Sequence, residues 1–263
     1  YEQFYTVEIS EYTLYKTAEF ISEKHENEMN SIQFFSSLPV DGIAISVTQE
    51  THRNDYLETL SERGMPIVFF DRILDNVKFC SVTTDNRGAV CELIDCFIEA
   101  GRKKIAYIGP LETPSSARDR FLGYQDALNK NHLTIQPSWI VPSKIDEESS
   151  YDAAKKLLLN KSLPDAIFCA TDLIALGVGK ALLEKNIQIP EDIILGGFGD
   201  CVITALLRVP IITVNQSPME IGRRTIELLI DQIETKIEKK IITPRKVTIK
   251  SKIVNKTILK LSK

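Results

Sequence analysis

The sequence predicts an α/β protein built on parallel β-sheets with helices on both faces. Short apolar runs alternate with amphipathic segments about six times along the chain, which is typical of strand–helix–strand units. Most of these runs are continuously apolar, as expected for strands that are covered on both faces. Gly64 and Gly101 each follow a helical segment and precede a strand, where a left-handed residue commonly ends a helix.

The individual elements follow from the same patterns. The apolar runs predict strands over 40–46, 65–71, 80–85, 103–110, 165–171, 192–198 and 211–216. The amphipathic segments predict helices over 51–63, 86–100, 117–129, 151–159, 172–185 and 219–236. Asp85 and Thr171 occupy positions where a side chain caps a helix N-terminus. Residues 239–263 are rich in lysine and β-branched residues and predict one or two further strands.

Composition limits the class of protein. The chain has 263 residues, enough for two domains of ordinary size. No apolar run approaches the ~20 residues that span a bilayer. The first residues carry neither the basic region nor the apolar region of a signal peptide. A net charge of −4 argues against a direct grip on nucleic acid by this part of a protein.

The five cysteines predict free thiols. Their number is odd, and Cys80, Cys91, Cys96 and Cys169 lie in apolar segments. Cys91 and Cys96 have no histidine partner at ligand spacing, so we expect no metal site. Buried thiols of this kind fit the reducing environment of the cytoplasm.

No motif predicts catalysis. The chain contains no G-x-S-x-G, H-E-x-x-H or G-x-x-x-x-G-K-[ST] pattern. The run I-L-G-G-F-G-D at 194–200 places glycines after a strand, as dinucleotide sites do. Residue 202, however, is valine where that fingerprint requires glycine. We therefore expect no catalytic residue and no cofactor.

Polar residues at the ends of the predicted strands are the candidates for ligand binding, because open parallel sheets bind ligands at their carboxyl edge. Carboxylates accept hydrogen bonds from hydroxyl groups and a nearby arginine donates two aligned ones, so this combination suits a hydroxyl-rich ligand. The strand-end residues are Asp71, Asp85, Thr171, Asp172, Gly199 and Asp200.

Several longer motifs follow one another in a fixed order over residues 38–236. They are VDGIAIS, GMPIVFFDR, SVTTDNRGAV, FIEAGRKKIAYIGP, SSARDRFLGYQDAL, PDAIFCATDLIALGVGKALLEKNIQIPEDIILGGFGD and VPIITVNQSPMEIG. Together they resemble the effector-binding core of the lactose and galactose repressor (LacI/GalR) family of bacterial transcription regulators. The resemblance implies a type I periplasmic-binding-protein-like fold. Such a fold has two doubly wound parallel-sheet lobes, joined by three crossovers, with the effector in the cleft between them.

The resemblance also implies a division into lobes. It assigns residues 1–78 and 217–240 to an N-terminal lobe, and residues 79–216 and 241–263 to a C-terminal lobe. The start of the chain departs from the family, since only ten residues precede EYTLYKT where a strand and a helix are expected. We therefore expect the N-terminal lobe to be incomplete here and a DNA-binding helix-turn-helix to lie upstream.

Three candidate site residues match family positions. Arg120, in R-F-L-G-Y, corresponds to the family's arginine that reaches into the cleft and holds ligand hydroxyls or a carboxylate, with Arg118 as its alternative. Ser116 matches a hydroxyl contact, and Asp71 ends a strand near the cleft. Each of these two also suits a plain cap of a helix or turn.

Other candidates depart from the family. Thr171 replaces the contacting asparagine of A-N-D, and Asp172 beside it either binds ligand or stabilises the start of a helix. Ile145 replaces an aromatic residue that would stack on the ligand. Gly199 stands in place of the binding aspartate, which leaves Asp200 as the nearest carboxylate. These departures predict an effector outside the family's commonest sugars.

The resemblance therefore implies the effector-binding and dimerisation core of a cytoplasmic transcription regulator. A small molecule, expected to be a sugar or sugar derivative, binds between the lobes of a homodimer and changes the spacing of two upstream DNA-binding heads. A periplasmic sugar receptor for transport or chemotaxis shares the fold and is the alternative. The odd cysteine count and the TVNQSPMEIG motif favour the regulator.

Overall fold

Two four-stranded parallel sheets form the framework of the protein. The computed structural model describes residues 4–9, 12–17, 24–48, 50–51, 55–74, 78–201, 209–241 and 243–255. Its strands are β1 (Phe4–Ile9), β2 (Tyr12–Thr17), β3 (Ile43–Ile45), β4 (Ile67–Phe70), β5 (Cys80–Thr84), β6 (Ile105–Ile108), β7 (Ile140–Val141), β8 (Ala166–Cys169), β9 (Ile194–Gly196), β10 (Thr213–Asn215), β11 (Lys246–Ile249) and β12 (Lys252–Val254). Its helices are α1 (His25–Ser37), α2 (Asp55–Glu62), α3 (Asn86–Glu99), α4 (Ser115–Lys130), α5 (Glu147–Leu157), α6 (Asp172–Glu184) and α7 (Pro218–Ile237), with a 3-10 turn at Pro137–Trp139.

The first sheet has the order β11-β5-β4-β3, and all its strands are parallel. Successive residues of β4 point to opposite faces, as in any strand. Ile67 and Phe69 join a cluster with α1 and α2, whereas Val68 joins a cluster with α7. The sheet is therefore covered on both faces, as its continuous apolar runs predict.

The second sheet has the order β7-β6-β8-β9 and is also parallel. A parallel bridge between Gly196 and Ile212 joins it to an antiparallel pair formed by β10 and β12. The core of this lobe is the larger one, and its biggest fully buried side chains include Tyr107, Tyr124 and Phe168. The α/β class and the parallel sheets predicted from the sequence are thus confirmed.

Three crossovers connect the two sheets. β5 of the first sheet leads into α3, which packs with α4 in the second lobe. β10 leads back into α7, which packs on β4 and β5. β11 then lies in the first sheet, whereas β12, which follows directly, pairs with β10. This arrangement agrees with the implied two-lobe fold.

The boundaries of the lobes differ from those implied by the resemblance. The resemblance places Cys80–Thr84 and Lys246–Ile249 in the C-terminal lobe, within 79–216 and 241–263. Instead, β5 pairs with β4 and β11 pairs with β5, so both strands complete the first sheet. The chain passes to the second lobe after the carboxyl ends of β5 and β11, not before these strands begin. Strand pairing is non-local, and local periodicity does not reveal it.

Most predicted elements are confirmed, but some were missed. β7 contains only two residues, and α1 was not predicted. The hydrophobic pattern of α1 is weak because it buries Glu28 and Ser31 beside Ile32. Glu28 Oε2 accepts hydrogen bonds from the Thr48 amide (2.6 Å) and the Thr51 hydroxyl (2.9 Å), which offsets part of the cost of burying the carboxylate.

The predicted helix ends are also confirmed. Asp85 accepts a hydrogen bond from the Gly88 amide (2.9 Å), and Thr171 accepts one from the Ile174 amide (3.3 Å). Gly64 and Gly101 have φ of 81° and 88°, the left-handed conformation expected after a helix. Among the described helices, none is both long and apolar enough to cross a membrane.

Candidate functional site

The Arg120 guanidinium contacts three residues that follow the ends of β5, β8 and β9, namely Asn86, Ala170 and Phe198. Arg120 is on α4, is only 4% exposed, and packs over the Phe198 ring with 3.8 Å from Cζ to the ring centroid. Nε donates to Asn86 Oδ1 (2.9 Å) and Nη1 donates to the Ala170 carbonyl (2.9 Å). Within the described part of the chain, nothing accepts a hydrogen bond from Nη2, so this nitrogen has donor capacity that a ligand can use.

The electrostatics of Arg120 favour an additional acceptor. Burial lowers the pKa of the guanidinium to about 10, although the Asp71 carboxylate partly opposes this effect. The side chain is therefore charged at neutral pH, yet both of its hydrogen-bond acceptors are neutral groups. A buried charge that is not fully compensated is costly. An acceptor brought by a ligand would reduce that cost.

Asp71, in the first lobe, has a carboxylate oxygen that can accept a hydrogen bond from the same ligand. It follows β4 of the first sheet, with a left-handed backbone (φ 58°) that is uncommon for a residue other than glycine. Its Oδ1 is buried and has no hydrogen-bond partner among the described residues. Oδ2 lies 3.8 Å from Arg72 Nε. A buried oxygen without a partner and a strained backbone are both features that cluster at binding sites.

Two buried serines begin α4, the helix that carries Arg120. Ser116 is buried and precedes Arg120 by one helical turn, so the two side chains share a face of α4. Ser115 was not predicted, yet its hydroxyl donates to the Ile73 carbonyl (3.0 Å) and accepts from the Ile73 amide (3.3 Å). Ser115 thus connects α4 to the segment after β4, across the two lobes.

Asp172 is engaged within the second lobe. It is fully buried; Oδ1 accepts from the Thr213 hydroxyl (2.6 Å) and Oδ2 accepts from the Cys201 amide (2.8 Å). Burial raises the pKa of this carboxyl, and the two hydrogen bonds oppose the rise. Oδ2 therefore holds the loop after β9, and Oδ1 holds the start of β10. Thr171 accepts from Ile174 as an N-cap, but its hydroxyl proton remains able to donate to a ligand.

The glycine run after β9 is explained by packing. A Cβ on Gly197 would lie 2.2 Å from Asp172 Oδ1, so only glycine allows the loop to approach that carboxylate. Gly199 has φ of 135°, which L-residues rarely adopt. Asp200 is left-handed at φ 52°, and its Oδ2 accepts a hydrogen bond from Asn215 Nδ2 (2.6 Å). One oxygen of Asp200 is thus used to hold the crossover that leads to α7.

Ile145 is half-buried and packs against the core of the second lobe. It directly precedes Asp146, which caps α5 through the Ser149 amide (2.7 Å). Ser116 shares a face of α4 with Arg120, and the Asp71 carboxylate raises the pKa of that guanidinium from the other lobe. Asp172 binds the loop after β9, which contains Asp200 and the Phe198 ring that packs on Arg120, and Thr171 directly precedes Asp172. Asn86 and Phe198, which hold the guanidinium, were missed, although Asn86 directly follows the predicted cap Asp85.

Comparison with known proteins identifies the family. The family model of the periplasmic binding protein-like domain matches residues 94–255. The chain belongs to this family. It is 31% identical over 221 residues to the HTH-type transcriptional repressor PurR of Haemophilus influenzae, an alignment that covers 81% of this chain and 63% of the relative. It is 29% identical to the catabolite control protein A of Priestia megaterium, covering 82% of this chain and 66% of that protein.

Solved structures agree with these relatives. The crystal structure of a putative transcriptional regulator LacI from Bacillus cereus subsp. cytotoxis superposes with a TM-score of 0.78 at 25% identity, covering 90% of this chain and 82% of that one. The chain is thus an effector-binding core of the LacI/GalR type. It spans just under two thirds of the length of the curated relatives described above.

Proposed function

We propose that the chain senses a small-molecule effector for a cytoplasmic transcription regulator. The observation that carries this proposal is the pair formed by Arg120 and Asp71. The two side chains come from different lobes, and each has hydrogen-bonding capacity that the described residues do not use. A ligand that accepts from Nη2 and donates to Asp71 Oδ1 would bridge the lobes and favour one lobe orientation.

The effector that fits this pair is small and rich in hydroxyl groups, such as a sugar or sugar derivative. A hydroxyl group both donates and accepts, so one polyol can satisfy the carboxylate and the guanidinium together. In this proposal Thr171 and Ser116 contribute hydroxyl groups to the ligand, and Ile145 contributes an apolar side chain. Since Asp172 and one oxygen of Asp200 are already hydrogen-bonded, the second lobe offers fewer carboxylate acceptors than its sequence suggests.

We further propose that the regulator is a homodimer. Met219, Ile226 and Ile237 are exposed on α7 at 87%, 39% and 60%. At about 100° per residue these positions lie within ~20° of one line along the helix. An exposed apolar stripe of this kind suits contact with a second copy of the chain. The substitution Ile226→Glu should then yield monomers in sedimentation velocity, whereas a monomeric wild-type chain would contradict this arrangement.

The effector is found by thermal-shift measurement with monosaccharides, oligosaccharides, nucleosides and sugar phosphates. A ligand that binds the folded state at 100 times its Kd stabilises it by about 2.7 kcal/mol, which raises Tm measurably. We expect at least one polyol to raise the Tm of the wild type but not that of Arg120→Met. If no compound in these classes raises the Tm, the effector proposal fails.

The coding sequence upstream of Tyr1 separates the regulator from the alternative receptor. A helix-turn-helix followed by a family-type strand supports the regulator, together with effector-dependent binding of the full-length protein to its operator. A signal peptide at that position supports the periplasmic sugar receptor instead.

A further inference from the structure

Asn86 connects the Arg120 guanidinium to the first crossover between the lobes. It is the first residue of α3, directly after β5 and the cap Asp85, and only 4% of it is exposed. Its Oδ1 accepts from Arg120 Nε (2.9 Å), and its Nδ2 donates to the Thr84 carbonyl at the end of β5 (3.2 Å). One buried side chain therefore contacts a group of the second lobe and the last residue of a strand of the first.

The start of α3 is also hydrogen-bonded to the third crossover, where the chain passes from β11 to β12. The Asp85 amide donates to the Ile249 carbonyl at the end of β11 (3.1 Å), immediately before the chain passes to β12. Asp85 also accepts from the Gly88 amide, which fixes the start of α3. Asn86 is therefore connected, directly and through its neighbour Asp85, to two of the three segments that join the lobes.

We propose that Asn86 is a positioning residue that orients Arg120 and couples its orientation to the crossovers; this inference rests on the proposed role of Arg120 as the effector contact. The bond to Nε and the Phe198 ring together fix the plane of the guanidinium. This leaves Nη2 as the nitrogen that can donate a hydrogen bond to a ligand. Any rotation of the guanidinium that optimises its contact with a ligand must pull on Asn86 Oδ1.

The amide of Asn86 suits this role because it donates and accepts at the same time. An aspartate would keep the acceptor for Arg120 but lose the donor to Thr84, and an alanine would lose both. The two hydrogen bonds can therefore be broken separately by substitution. Arg118, half-exposed and two positions before Arg120 on α4, provides a matched control arginine.

The coupling is measured by hydrogen exchange with mass spectrometry on the ligand-free protein. Peptides covering 80–88 and 246–251 report the two crossovers, and a peptide covering 114–122 reports the start of α4. We expect Arg120→Met to speed exchange in both crossover peptides by about fivefold, the equivalent of one net hydrogen bond. Arg118→Met should leave them unchanged.

The Asn86 variants separate coupling from a local structural role. Asn86→Ala should speed exchange at both crossovers and at 114–122, whereas Asn86→Asp should speed it at the crossovers but leave 114–122 protected. In the Asn86→Ala background, Arg120→Met should add less than about twofold, because the two residues act through one connection. If Arg120→Met does not fold, Arg120→Lys, which also loses the Nε donor, takes its place.

Two results would overturn the inference. In the first, Arg120→Met leaves the exchange rate of the crossover peptides unchanged. In the second, the effects of Arg120→Met and Asn86→Ala on that rate multiply in the double variant. Because no effector is present in this experiment, its outcome is independent of the thermal-shift screen. A failed screen with positive exchange results refutes the proposed function alone. A successful screen with negative exchange results refutes only the role of Asn86.

Discussion

The substitution Asp172→Ala tests whether this carboxylate stabilises β10 and the loop after β9 or binds a ligand. Its two oxygens accept from Thr213 and Cys201, and a hydrogen bond to a charged group contributes about 1.5–3 kcal/mol, or roughly 3–6 kcal/mol for both. A carboxylate in the first turn of a helix adds about 0.3–1 kcal/mol. The desolvation that raises the pKa of Asp172 offsets part of this stabilisation. We expect a net loss of about 3–5 kcal/mol in the free energy of unfolding.

Urea denaturation followed by the fluorescence of Trp139 measures this loss. Trp139 is the single tryptophan, lies in the core against which α6 packs, and donates to the Ser162 carbonyl (3.2 Å). Asp152→Ala, an exposed position on α5, is the control and should change stability by less than about 0.5 kcal/mol. If the free energy of unfolding of Asp172→Ala stays within about 1 kcal/mol of the wild type and only effector binding is lost, then the carboxylate does not stabilise β10 and the loop after β9 as we expect.

Three further predictions concern packing, an unpaired hydroxyl and pH. Gly123→Ala would place Cβ 2.5 Å from the Arg87 carbonyl and should lower the free energy of unfolding, measured by chemical denaturation, by more than about 2 kcal/mol. Gly222→Ala has open space around it and should raise the free energy of unfolding by up to about 1 kcal/mol. Equal effects of the two substitutions would contradict the close packing of α3 on α4. Thr84→Val removes a buried hydroxyl that lacks a hydrogen-bond partner among the described residues. The stability measured by thermal melting should therefore stay equal or rise, whereas a loss of more than about 1 kcal/mol would show that the hydroxyl has a partner. The pKa of Asp172 is raised above its ordinary value of 3.8, so the folded state favours the protonated carboxyl. The stability of the wild type relative to Asp172→Asn should therefore increase as the pH falls from neutral towards 3.8. A decrease, measured by urea denaturation at each pH, would refute the direction of the shift.

Local patterns in the sequence predict the order of strands and helices, because both depend on the spacing of apolar residues and on short-range caps. Asp85 and Thr171 illustrate this, since each caps a helix through an amide three residues later. The assignment of β5 and β11 to the first sheet depends on pairing between distant strands, so the implied lobe boundaries missed it.

The candidate site shows the same division between local and non-local information. Arg120 was predicted from a short motif, but its partners Asn86 and Ala170 lie 34 and 50 residues away. Asp172 was a candidate contact because it ends a strand, while the groups that occupy its oxygens lie 29 and 41 residues further along the chain. Residue type and position along a strand do not show which oxygens are already hydrogen-bonded in the folded protein.

Isothermal titration calorimetry tests the central claim that Arg120 binds the effector between the lobes. The titrant is the compound that raises the Tm of the wild type, and the proteins are the wild type, Arg120→Met, Asp71→Asn and the control Arg118→Met. We expect Arg118→Met to bind like the wild type. Arg120→Met should weaken binding by at least about 30-fold, since a charged hydrogen bond lost in a buried site costs about 2 kcal/mol or more. Unchanged affinity in Arg120→Met, with Arg118→Met impaired instead, would contradict the account.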